Sequence, residues 1–161
     1  MKTWTEAVGA GAASGSWAAV ISAGALAVCA ALEGSRPLSP LNGPSQWVWG
    51  QRAARRTRVT VRHTALGYVI HHASAVMWAV LHEKMHGAVR ARTSIQAELA
   101  RAGATTAIAA FVDYGLTPRR FQPGFDKHLS PVSIAAVYAA FALGLAAARM
   151  RRHHATDRKD D

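Results

Sequence analysis

Four long apolar stretches alternate with short connections rich in Arg, Pro and Gly. The first runs from Ala7 to Leu32, 26 residues without a charge, longer than the roughly 20 that a helix needs to cross hydrocarbon. Small residues recur in it at every fourth position, Ala7, Gly11, Gly15, Ala19, Ala23 and Ala27. That stripe lies along one helix face and lets a neighbouring backbone approach closely. The second stretch, about 64–83, is uncharged to Leu81 apart from its histidines. The fourth, about 130–149, opens with Ser130 as N-cap and Pro131 at the first helical position, where a missing N–H costs nothing. It carries its own small-residue stripe, Ala136, Ala140, Gly144 and Ala148, suited to packing on the first helix.

The third stretch, about 95–117, is the least regular because it contains Glu98, Arg101 and Asp113. Glu98 and Arg101 stand three apart and can pair on one face near the helix start. Gly115 and Pro118 end the helix just beyond Asp113. Between the first two stretches, residues 33–63 hold three closely spaced prolines, which exclude a long helix there. Trp47 and Trp49 suit a membrane–water interface, so this loop is expected to lie on the membrane and fold over one end of the helices. Residues 151–161 are expected to form a disordered basic tail.

The expected fold class is therefore all-α: one transmembrane domain, residues 1–150, folded as an integral-membrane four-helix bundle with the lipid bilayer as its surroundings. Lys plus Arg number 19 against 9 Asp plus Glu, an excess that in a soluble domain would suggest nucleic acid. Here the arginines flank apolar spans, where anionic headgroups are the nearest partners, and no nucleic-acid binding is expected. The single cysteine, Cys29, excludes an internal disulfide and a multi-cysteine metal site. Orientation is not decided by charge: nine Lys and Arg fall on each side of a four-span topology.

His82-Glu83-Lys84-Met85-His86 spells HExxH. On a helix the two histidines share a face and can bind one zinc, while Glu83 would activate the metal-bound water. A third ligand is required. In an antiparallel hairpin turning near Arg90, His82 is expected level with Glu98, whereas Asp113 is fifteen residues further on, about 22 Å away at 1.5 Å per residue. The candidate metal set is thus His82, His86 and Glu98, with Arg101 competing for the carboxylate. The opposing reading is the polar end of a membrane helix. No cofactor is firmly implied, and zinc is the one candidate.

His71 and His72 fall near the middle of the second span, where an ionisable residue is a functional hypothesis by default. Hydrogen bonding to a neighbouring helix is the plainest use for them. At the other end, Asn42, Gln46, His63, Asp113, Arg119, Arg120, Asp126 and His128 all lie in or beside the connections. Asp113 is expected to pair with Arg119 or Arg120. The functional version of this cluster is a polar pocket roofed by the Trp47 loop, for an anionic headgroup or a small metabolite.

The segments LSPLNGPSQWVWG, RHTALGYVIHHASAVMWAVLHE and FVDYGLTPRRF together resemble an uncharacterised group of small polytopic bacterial inner-membrane proteins, over roughly residues 36–130. The resemblance implies a multi-pass protein of the bacterial cytoplasmic membrane and no activity. The leading expectation is a non-enzymatic accessory or interaction protein that assembles with itself or another membrane protein through its small-residue faces. A zinc-dependent membrane peptidase is the alternative, and a small dimeric transporter with a polar cavity near His72 is a third reading.

Overall fold

The computed structural model describes residues 1–86 and 94–157, the last six as backbone alone. The connection 87–93, with the turn expected near Arg90, and residues 158–161 of the tail lie outside the described residues. Among the described residues there is no strand. The helices are α1 (Trp4–Leu32), α2 (Gln46–Trp49), α3 (Gln51–Ala54), α4 (Leu66–His86), α5 (Ile95–Phe111) and α6 (Pro131–Asp157). Wider π turns precede α4, at Val61–Ala65, and follow α5, at Val112–Leu116.

Three segments are long and apolar enough to cross a membrane: Trp4–Leu32, Val61–His86 and Pro131–Arg151. The third stretch, expected as a span, is not among them. Its helix α5 has 17 residues, about 26 Å of rise against a hydrocarbon core of about 30 Å. The tail also departs from expectation, because α6 stays helical to Asp157.

Helix α1 starts on a capping box: Thr3 N donates to the Glu6 carboxylate at 2.8 Å, and Glu6 N donates back to Thr3 Oγ1 at 3.3 Å. It packs against both α4 and α6, and small residues set how close those contacts are. A Cβ added at Gly11 or Gly15 would stand 2.6 Å from the backbone of Val80 or Val76, and one at Gly144 would stand 2.6 Å from Ala18 Cα. The α1 stripe at Gly11 and Gly15 and the α6 stripe at Gly144 are thus consumed inside the chain, around a core of Ala18, Ala19, Ala79, Phe141, Leu145 and Ala146, while Ala136 of the α6 stripe is exposed. Helix α5 lies on α6 and barely touches α4.

The loop after α1 folds over the bundle end as well as lying beside it. Residues 39–45 are all buried and form a 3₁₀ turn against the start of α4. Gly67 makes this possible: the Leu41 carbonyl occupies the place where a Cβ would be, 1.8 Å away. Fully buried Asn42 ties the loop together, donating to the Arg56 and Arg58 carbonyls at 2.5 and 3.2 Å and accepting from Thr64 Oγ1 at 2.6 Å.

Candidate functional site

At the HExxH end, His82, Glu83 and Glu98 are all buried. Each is held by protein groups. Glu83 pairs with Lys2 Nζ at 2.6 Å and lies 3.4 Å from Ser14 Oγ. Glu98 stands 3.0 Å from both Arg101 and the buried Arg149. His82 Nδ1 meets Thr105 Oγ1 at 2.9 Å, so His82 lies level with Thr105. That is seven residues, about 10 Å, past the expected level of Glu98. The charges of Glu98, Arg101 and Arg149 instead act on His86, one turn nearer the end of α4. Among the described residues no group of three His, Cys, Asp or Glu side chains is arranged to hold a metal. Two guanidinium groups on one carboxylate make this end an ion-pair network, and they would oppose a metal dication placed there.

Both midspan histidines bond to α1. His72 Nε2 meets Ser16 Oγ at 3.0 Å, and its Nδ1 lies 3.3 Å from the Tyr68 hydroxyl. His71 Nε2 lies 3.1 Å from Ser22 Oγ and 3.2 Å from the Ala19 carbonyl. The Ser22 hydroxyl already donates to Ala18 O at 2.8 Å. Both neighbours of His71 Nε2 therefore accept, so in the neutral ring Nε2 carries the proton and Nδ1 keeps its lone pair.

Where α4 and α5 diverge, a half-enclosed cavity of about 70 Å³ opens on the loop end of the molecule. Trp47, Phe121 and Phe125 form its roof, and Trp78 and Phe141 close its deep end. The buried Trp78 indole N–H has no acceptor among the described residues. The remaining polar lining comes from Ser22, His71, Ser74, Asp113 and Tyr138, and Asp113 is the one charged residue in the lining.

Asp113 sits in the π turn that ends α5, closed by Thr117 N donating to Val112 O at 2.8 Å. A π turn inserts one residue into the helical register, a device frequent at functional sites. Here Asp113 reaches α6, where the Tyr138 hydroxyl donates to Oδ2 at 2.6 Å. Oδ1 has no hydrogen-bond partner among the described residues. The expected pairing with Arg119 or Arg120 is not made: both arginines are exposed beyond Pro118, in a separate 3₁₀ turn, and neither lines the cavity. The pocket under Trp47 is consequently apolar with an acid at its edge, which suits an anionic headgroup poorly.

The roof is pinned from two sides. Gln46 Nε2 and Trp47 Nε1 both donate to the Gln122 carbonyl, at 2.7 and 3.4 Å, and the Trp47 and Phe121 rings meet edge to face at 6.0 Å. His128 Nε2 donates to Ala54 O at 2.6 Å. Burial holds the His128 pKa below its ordinary 6.5, against the opposing pull of the Ala54 bond.

Of the residues singled out in the sequence, His71 and Asp113 come together at this cavity, while His72, Arg119 and Arg120 do not. Tyr138, Ser22 and Trp78 escaped sequence reasoning. Tyr138 had left a trace, as the lone polar side chain between Ser133 and Arg149. No family model, curated protein or solved structure is significantly similar to this chain.

Proposed function

We propose that the chain is a multi-pass protein of a bacterial cytoplasmic membrane, a four-helix bundle with α5 as its fourth member, that acts without enzymatic chemistry by holding a small amphipathic molecule beneath Trp47. The observation that carries this reading is the Asp113–Tyr138 pair at the edge of an otherwise apolar, aromatic-walled cavity. A concave apolar site with a few convergent polar groups is the usual form of a small-molecule site. At about 70 Å³ it is well below a drug-sized pocket, so it takes a ring or a short chain and leaves any longer tail outside. Asp113 Oδ1 and His71 Nδ1 are both acceptors, which favours a donor head, above all an amine, seated among aromatic rings.

Assembly through the small-residue faces finds less support, because Gly11, Gly15 and Gly144 already meet Val80, Val76 and Ala18 within the chain. Zinc peptidase chemistry finds less support too, because Glu98 would have to exchange two arginines for the metal. The test is tryptophan fluorescence of a variant that keeps Trp47 and Trp78, the two that line the cavity, and carries Phe at positions 4, 17 and 49. A brominated short-chain alkylamine is expected to quench their emission saturably, and Asp113→Asn to weaken that binding about tenfold. Quenching that rises linearly without saturation, alike in both variants, overturns the proposal.

A further inference from the structure

A second cavity, about 250 Å³, lies on the loop end and has the opposite charge. It is lined by Trp49, Arg52, Ala53, Arg56, Arg62 and His63. Among the described residues none of the three arginines pairs with a carboxylate. The acids at this end are engaged elsewhere: Glu33 with Ser130 and Ser133, Asp113 with Tyr138, and Asp126 with Lys127. Three exposed guanidinium groups around one cavity give it a positive potential that attracts an anion.

Arg62 and the backbone of Arg56 are held by their neighbours. Arg62 stacks on the Trp49 ring, 4.2 Å from its centroid, and its carbonyl accepts from Trp49 Nε1 at 3.1 Å. The Arg56 carbonyl is fixed by fully buried Asn42. His63 is buried, and its backbone N–H donates to Thr60 Oγ1 at 3.2 Å. The Thr60 hydroxyl also lies 3.0 Å from His63 Nδ1. His63 Nε2 has no hydrogen-bond partner among the described residues, and when it carries a ring proton it is a further donor beside the guanidinium groups.

We propose that Arg52, Arg56, Arg62 and His63 form a binding site for a phosphate group, with Trp49 as its wall. Guanidinium forks match phosphate oxygens in pairs, and an indole at the rim suits a site at the membrane–water interface. The phosphate is supplied by a lipid headgroup or by a free phosphate compound. Its cavity, lining and charge are separate from those of the cavity beneath Trp47, so the two can fail independently.

The experiment is calorimetric titration of the detergent-solubilised full chain with short-chain phosphatidylglycerol and, separately, with inorganic phosphate. Wild type is expected to bind at least one of them saturably. Arg56→Gln with Arg62→Gln is expected to weaken that binding about 30-fold, by the loss of two charge-assisted contacts. Arg119→Gln with Arg120→Gln removes the same charge from the same end outside the cavity, and leaves affinity within about twofold. Arg52→Gln, at an exposed residue, weakens binding several-fold without changing the melting temperature, which separates a lost contact from a lost fold. Binding of phosphatidylglycerol alone assigns the site to a lipid, and displacement by inorganic phosphate assigns it to free phosphate. Saturable binding of neither, or equal losses in the two double variants, overturns the proposal.

Discussion

The Tyr138 hydroxyl donates to Asp113 Oδ2 at 2.6 Å, joining the π turn at the end of α5 to α6 across 25 residues of sequence. The pair is at once a structural tie and the polar edge of the cavity. Tyr138→Phe keeps the ring and removes the donor, leaving a half-buried carboxylate without its partner. The expected cost is about 1–3 kcal/mol of stability, read as a lower melting temperature in detergent, together with weaker amine binding. A melting curve identical to wild type would show that the pair does not hold α5 to α6.

Glycine positions separate faces that are packed from faces that are free. Gly15→Leu and Gly144→Leu drive a side chain into the backbone of a neighbouring helix, and are expected to lose monodispersity in detergent through overpacking of more than about 3 kcal/mol. A Cβ at Gly9 or Gly24 meets nothing within 4 Å, and Gly9→Leu and Gly24→Leu are expected to behave as wild type in the same gel-filtration profile. Equal tolerance of all four would contradict the packing of α1 between α4 and α6.

Two groups outside the spans give stability a pH dependence in separate windows. Burial depresses the His128 pKa from 6.5, so the folded state favours the neutral ring. Its contribution is complete above about pH 6.5 and is lost as pH falls below that value. The Ser130 and Ser133 hydroxyls lower the Glu33 pKa from 4.5. Its contribution is present above that value and is lost only at more acid pH. Melting temperatures measured from pH 8 to pH 5 should fall below pH 6.5 in wild type and fall less steeply in His128→Gln. An unchanged slope in the variant would remove His128 as the cause.

At the opposite end, Arg149 is 3 % exposed and faces Glu98. Glu98→Gln leaves that guanidinium buried without its countercharge, with an expected loss of about 3–5 kcal/mol, measured by denaturation in mixed detergent. Treatment of wild type with a strong chelator is expected to leave the melting temperature unchanged. A large drop on chelation would favour metal binding at His82 and His86 over the ion-pair network.

The three long apolar helices were legible because each is a continuous apolar run, and the stripe of α1 and the Gly144 end of the α6 stripe marked where helix backbones meet. The level of the HExxH string was not legible. His82 meets Thr105, seven residues or about 10 Å of helix rise along α5 from Glu98. The partner of Asp113 was hidden for a different reason: charge pairing in sequence pointed to Arg119 and Arg120, while the π turn that carries the carboxylate to Tyr138 has no signature in the hydrophobic pattern. Prolines announced an irregular loop, but its burial depended on Gly67, whose missing side chain admits the Leu41 carbonyl.

A donor-headed amphiphile is proposed to sit beneath Trp47 with its head at Asp113. The most direct measurement is the anomalous scattering of crystals grown with a brominated short-chain alkylamine. A bromine peak is expected inside the cavity, between Trp78 and Phe141, and is expected to disappear in Asp113→Asn. Bromine found only on the outer, lipid-facing surface of the helices, in both proteins alike, would contradict it.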